Sequence, residues 1–487
     1  MFAGIAPRCA RSAAVALLAV AAGCRTVNDV IVDYRTNISV GNYASAATEP
    51  AELGAKENGD RLMWRLMAAS AYDLAGDTDN ALANFDVAED IMIENDKSSV
   101  FSQTADAAYA MMLNDKYFPY DGGGQDRIFT CLYKAIAYGA RNDFDAARTE
   151  LNRAAQHQEN WLWERRKDIA AADERLAKEA AEYSKEKGEG HGKDEGQSNV
   201  AVQNAMKDGA FGNTVKEAFG FDIFTSGVLD QLKPADYQNP YAAHVCGVFR
   251  WLNGDGDGRG YLKDVLLLRP ENAVAKRDFE ACDHGVKPSN QVWVYVEDGL
   301  APEREAWRID LPLVLIPYAG KYVKYAGLSL PRLIERPSAA MEWSVGGERM
   351  QPLANVDALA KVEYDVYMRG AIKREITRTV IDVGVQVALG VAADNSGDWK
   401  VRTALVASQY AVAAYSLARR GADTRCWPTL PKTVYVAHVE RPSDGRLSIM
   451  ADGGNAVEVV LSEGNSMVFV RKPSAAAVPS VKVLTWP

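Results

Sequence analysis

Between residues 61 and 154 apolar and polar positions recur at helical spacing, and the pattern occurs twice. Residues 61–88 and 127–154 superimpose at an offset of 66, with Ala69, Tyr72, Gly76, Ala81, Phe85 and Ala88 answered by Ala135, Tyr138, Asn142, Ala147, Leu151 and Ala154. Small residues fall where two helices touch closely, large ones where the next helix packs, and Gly or Asn tolerates the turn between. A third pair starts at Asn239-Pro240-Tyr241, with Gly247 and Phe249 on one face, and continues from Tyr261 to Leu268 before Pro270-Glu271-Asn272 ends it. The segment from Trp161 to about Lys187 is charged and Ala-rich and predicts one further helix. From about 290 the period changes. Val292–Val296, Leu311–Ile316, Val434–Val439, Leu447–Met450, Val457–Leu461 and Met467–Val470 read as strands, with helices over 357–390 and 399–420. Residues Ile381–Ala393 are nearly all apolar, which fits a buried helix or an interfacial membrane contact.

The fold class expected is α+β multidomain: an N-terminal α-helical repeat domain followed by a mixed α+β C-terminal domain. The expected segments are 24–55 as tether and cap, 56–285 as helical repeats with a flexible insertion at 184–200, and 290–487 as the mixed domain. The Ala-x-x-Tyr-x-x-x-Gly and Ala-x-x-x-Phe-x-x-Ala runs resemble the tetratricopeptide signature. The offset is close to two such units of about 34 residues, so a degenerate helix pair is expected near 98–124. Stacked repeats build concave surfaces that hold other chains. Trp64, Arg65 and Tyr72 on the first copy are the candidate partner-binding residues, because aromatic and Arg side chains carry most energy at such surfaces.

Arg8 and Arg11 precede an apolar stretch from Ala13 to Ala22, and Gly23-Cys24 follows, so residues 1–23 read as a secretory signal. Cys directly after Ala-Gly resembles the bacterial lipobox, which implies acylation (diacylglycerol and palmitate) of Cys24. The stretch is well short of the ~20 residues that span a bilayer, so the protein is expected to be anchored rather than threaded. Arg25 after the Cys favours the outer membrane, facing the periplasm, by the same resemblance. The formal charge of −10 argues against general nucleic-acid binding, where basic patches supply affinity. Cys131 and Cys246 fall on expected interior helix positions, and a Cys282–Cys426 bridge stays open.

Chemistry is sparse. Asn253, Asp255, Asp257 and Asp264 take positions 1, 3, 5 and 12 of a Ca²⁺-loop count, with Gly258 at the turn position. A hard cation needs such an oxygen cage, so weak Ca²⁺ or Mg²⁺ binding at 253–264 is one reading and a polar inter-helix turn is the other. No other cofactor is expected. Gly122-Gly123-Gly124 precedes a helix but lacks the following Lys-Ser/Thr of a phosphate loop, and reads as a turn. None of His157, His191, His244, His284 and His438 has metal-ligand spacing, and no GxSxG elbow is present.

Four segments carry a wider resemblance: Phe118-Pro119-Tyr120-Asp121-Gly122, the Ala-Arg-x-Glu-Leu-Asn-Arg run ending at Arg153, Val294 to Pro302, and Ala422 to Pro431. In this order they are similar to a family of uncharacterised bacterial outer-membrane lipoproteins with N-terminal tetratricopeptide-like repeats. The resemblance implies a cell-envelope lipoprotein with no assigned reaction. Together these features predict a lipid-anchored scaffold that binds an envelope protein or peptide and catalyses nothing. The alternatives are a metal- or ligand-regulated module and an enzyme acting on envelope polymer.

Overall fold

The computed structural model describes residues 27–101, 119–161, 163, 166, 232–310, 319–419, 421–452, 454 and 456–486. The signal segment, Cys24, most of 98–124, the strand expected at 311–316, the insertion at 184–200 with His191, and most of the 161–187 helix lie outside these residues. The fold is mixed α+β.

The helical part opens with α1 (Val27–Val40) and α2 (Tyr43–Gly54). Three helical hairpins follow: α3 (Arg61–Leu74) with α4 (Thr78–Phe101), α5 (Gly124–Gly139) with α6 (144–161), and, after the short α7 (Pro234–Tyr237), α8 (Pro240–Leu252) with α9 (Gly258–Leu268). Helix α10 (Ala273–Asp283) closes the series. The turns share one geometry. Gly76, Asn142 and Gly254 sit at φ 81°, 61° and 75°, a region that costs other side chains strain. The next amide donates back in the same way each time: Asp77 N to Tyr72 O, Asp143 N to Tyr138 O and Asp255 N to Arg250 O. The small positions of the offset pattern are buried: Ala69, Ala81, Ala135 and Ala147 are all 2% exposed or less. In the third hairpin Gly258, Leu262 and Val265 are buried on the second helix, as Ala81, Phe85 and Ala88 are in the first.

The sheet part begins with β1 (Gln291–Asp298) at the centre of a five-stranded sheet. Its partners are β10 (Asn465–Lys472), parallel, and β7 (Thr433–Glu440), antiparallel. Strands β11 (Ser480–Trp486) and β6 (Gln351–Asn355) form its edges. A second sheet, β5 (Glu348–Arg349), β4 (Trp343–Val345), β8 (Arg446–Ala451) and β9 (Val457–Val460), covers one face. The helices cover the other. The alternation in Val-Trp-Val-Tyr-Val sorts the side chains: Val292, Val294 and Val296 enter the inter-sheet core, while Trp293 and Tyr295 enter the helix–sheet core. Strand β10 does the same with Val468 and Val470 against Met467 and Phe469. One hydrophobic cluster therefore runs from α1 through the three hairpins into β1, β7, β10 and β11. The hairpin face that the repeat pattern assigns to a partner is filled by the chain's own sheet. Trp427 packs between Phe85 and Tyr133, at ring distances of 6.0 and 5.9 Å, and its indole N–H donates to Ser70 Oγ at 2.8 Å.

A separate arm leaves this body. The ladder β2 (Glu303–Asp310) with β3 (Gly327–Ile334) and the short α11 (Ala319–Tyr322) lie with α12 (Val356–Asn395), which pairs with α13 (Trp399–Arg419). Helix α12 has 40 residues, about 60 Å at about 1.5 Å per residue. Among the described residues no helix is long and apolar enough to cross a membrane.

Candidate functional site

Ionisable side chains from both parts meet at the helix–sheet junction. Asp73 comes from the last turn of α3, Tyr133 from α5, Tyr241 from the first turn of α8, Glu297 from the end of β1, Arg471 from β10 and Lys482 from β11. Parallel register puts Glu297 opposite Arg471 and Asp298 opposite Lys472. Arg471 Nη1 donates to Asp73 Oδ2 at 2.8 Å and its Nε faces Glu297 Oε2 at 2.9 Å. Tyr133 Oη donates to Glu297 Oε2 at 2.8 Å and Tyr241 Oη to Oε1 at 2.9 Å. Lys482 holds the other oxygen of Asp73. Burial pushes Asp73 up, but Lys482 and Arg471 outweigh it and hold the carboxyl below its ordinary value. Burial dominates at Glu297 and raises it despite Arg471 and the two hydroxyls. The crevice beside these residues, lined also by Ile136, Phe469 and Ser480, has room for about one water molecule. Both Glu297 oxygens already accept donors, so the arrangement acts as a polar clamp between helices and sheet.

A second cluster centres on Asp278 of α10, which is 0% exposed. His244 Nε2 lies 3.1 Å from Asp278 Oδ2, the Trp293 indole N–H donates to the same oxygen at 2.9 Å, and His438 Nδ1 lies 2.6 Å from Oδ1. Burial opposes the charge, but the hydrogen bonds from His244 and His438 hold this carboxyl far below the carboxylate range. His244 Nδ1 meets Tyr295 Oη at 2.8 Å. Both imidazoles are turned to a carboxylate and buried, an arrangement that locks α8 and α10 onto β1 and β7.

Glu89, Cys131 and Glu150 bring ligand atoms within 4.8 Å of one another. The Lys134 ammonium already lies among these acids, 2.5 Å from Glu89, 3.0 Å from Glu150 and 2.9 Å from Asp86. Burial, Glu150 and Glu89 push the Cys131 thiol up, away from the thiolate a metal takes. The cluster fits a buried ion network rather than a metal centre.

The glycine run at 122–124 leads into α5, with Gly122 at φ 76° and Gly124 as the first helical residue. An anion does occupy the helix start: Gln125 N donates to Glu363 Oε1 of α12 at 2.8 Å, the position where a helix N-terminus favours negative charge. A Cβ on Gly123 would lie 2.5 Å from Glu363 Oε2, and one on Gly124 2.0 Å from the Trp161 ring. The glycines thus admit the arm's carboxylate to the body.

The sequence-assigned residues fare unevenly. Trp64 is 2% exposed in the core, so its assignment as a partner contact is corrected: α3 is covered on more than one side, and the indole faces inward. Arg65 is half-buried and donates to Asn84 Oδ1 at 2.8 Å. Tyr72 is half-buried against the core edge. In the 253–264 segment Asp255 pairs with Arg148 at 3.1 Å and Asp257 with Arg250. Asn253 Nδ2 donates to Phe249 O at 2.7 Å, and its Oδ1 accepts from Trp486 Nε1 at 3.2 Å. Gly258 starts α9 instead of making a mid-loop turn, which carries Asp264 into the helix. Asp255 and Asp257 thus face arginines and Asp264 lies on α9, an arrangement that fits the polar inter-helix turn, the other of the two readings. Cys282 and Cys426 are both free. Sequence reading missed the three networks; their one local trace is the acidic end of β1 and the basic end of β10. No family model, no curated protein and no solved structure matches the chain.

Proposed function

We propose that the chain is an envelope scaffold, anchored at the outer membrane through acylated Cys24 and facing the periplasm. It binds another protein or peptide through the outer surface of its tetratricopeptide-like hairpins and catalyses no reaction. The observation that carries this reading is the recurrence of one hairpin geometry at Gly76, Asn142 and Gly254, with buried small residues at matching positions. Because the hairpins' inner face holds the chain's own sheet, the partner surface is the outer one, where Arg65 and Tyr72 lie half-buried. Both oxygens of Glu297 and of Asp73 already have donors, which supports a structural use of the junction chemistry over an enzymatic one.

The test is partner capture from solubilised envelopes by the full chain and by an Arg65→Ala, Tyr72→Ala double variant. The proposal expects capture to fall in the double variant while the melting temperature changes little. Unchanged capture, or turnover of envelope polymer by the pure protein, would overturn it.

A further inference from the structure

Helix α13 presents its side chains the wrong way round for a helix in water. The side it turns to α12 carries Gln409 and Ser416, 3% and 0% exposed. Gln409 Nε2 donates to Gln386 O of α12 at 2.6 Å. Trp399, Val406, Tyr410 and Leu417, 72%, 36%, 58% and 42% exposed, recur at i, i+7, i+11 and i+18 and so form one outward stripe; Val401 and Tyr415, 48% and 58% exposed, lie on the opposite flank. From Thr403 to Ala418 no residue is charged, although a quarter of the whole chain is. The charges of α13 lie at its ends, Lys400 and Arg402 at one and Arg419 at the other, with no acid between, in a chain of formal charge −10. At the neighbouring tip Asp394 is engaged by Lys321 and by Tyr322 Oη, and Asp398 accepts from Lys400 N at 2.7 Å.

We propose that the outward face of α13 docks on an anionic phospholipid surface. Exposed apolar area supplies the insertion, Trp and Tyr suit the headgroup level, and basic ends meet the negative lipid charge. The arm would give a second membrane attachment beside the acyl anchor. This inference stands apart from partner capture, because its assay contains only protein and lipid.

The full mature chain carrying Cys24→Ser, and so no acyl group, is sedimented with phosphatidylcholine vesicles with and without about 30% phosphatidylglycerol. The chain should bind the anionic vesicles and be released by salt. Lys400→Glu should weaken binding by roughly fivefold or more. Val406→Asp with Tyr410→Asp should abolish binding with the melting temperature unchanged. Should that double variant fail to fold, Trp399→Ser, at the most exposed position, serves the same purpose. Absence of binding to anionic vesicles, binding indifferent to these variants, or a dimer that the variants dissociate in place of lipid binding would each overturn the proposal.

Discussion

Arg471→Met tests the junction clamp. The side chain is 10% exposed and reaches Asp73 at 2.8 Å and Glu297 at 2.9 Å, both acids 4% exposed or less. Its guanidinium also lies over the Tyr133 ring at 4.1 Å. Met fills much of the volume, so the loss is mainly electrostatic. Removing one member of a buried ion pair costs about 3–5 kcal/mol. Lys482 still faces Asp73, and two tyrosine hydroxyls still donate to Glu297. The expectation is therefore the low end, about 3 kcal/mol at pH 7. The sign of the pH dependence follows from Glu297, which burial already raises and Arg471 lowers. Without Arg471 it rises further. A carboxyl raised on folding contributes stability that is full below its unfolded pKa of about 4.3 and is lost as pH rises through the folded value. The deficit of Arg471→Met should therefore be largest at pH 7–8 and shrink toward pH 5. Urea unfolding of both proteins across that range measures it. Adding Glu297→Gln should recover roughly half the loss at pH 7, since the two mutations share one network. A cost below about 1 kcal/mol that does not vary with pH would refute the clamp.

Three further outcomes are expected. Asp278→Asn should cost about 3–5 kcal/mol at pH 7. Because its carboxyl is depressed in the fold, its stabilisation is present above the unfolded pKa of about 3.9 and is lost on acidification, so the variant should lose less stability than wild type between pH 5 and 3 in urea titrations. Ala147→Leu should overpack the α5–α6 crossing and cost about 1–3 kcal/mol, read as a lower melting temperature. Calorimetric titration with millimolar Ca²⁺ should show no heat that Asp255→Ala with Asp264→Ala removes, since Arg148 and Arg250 neutralise Asp255 and Asp257.

Local pattern carried the helical hairpins and the central strands. The offset pattern located Ala69, Ala81, Ala135 and Ala147 at buried positions, and Val-Trp-Val-Tyr-Val marked β1. Strand β3 contains Pro331, and β2 reads Glu-Arg-Glu-Ala-Trp-Arg-Ile-Asp, so neither has a strand's usual composition. They pair with each other as a ladder on the arm, where charge and Pro are tolerated. Trp64 misled because the apolar stripe of α3 is wide: a second covering layer, supplied by distant sequence, is invisible to helical periodicity. The polar networks were hidden for the same reason. Tyr133 and Glu297 are 164 residues apart, and Asp73 and Lys482 are 409 apart. No short motif announces a contact of that span.

The helical part packs its hairpins against the chain's own sheet in one hydrophobic cluster. A chain ending at Gly285, compared with the full chain by hydrogen exchange and thermal unfolding, tests this most directly. Phe85 and Tyr133 would lose Trp427 as a packing partner, and Tyr241 would lose Tyr295. The truncated chain should therefore show no cooperative melt and weak protection of the α5 and α8 amides. A cooperative transition with α5 and α8 protected as in the full chain would mean that the helical part stands alone, with its inner face open to another protein.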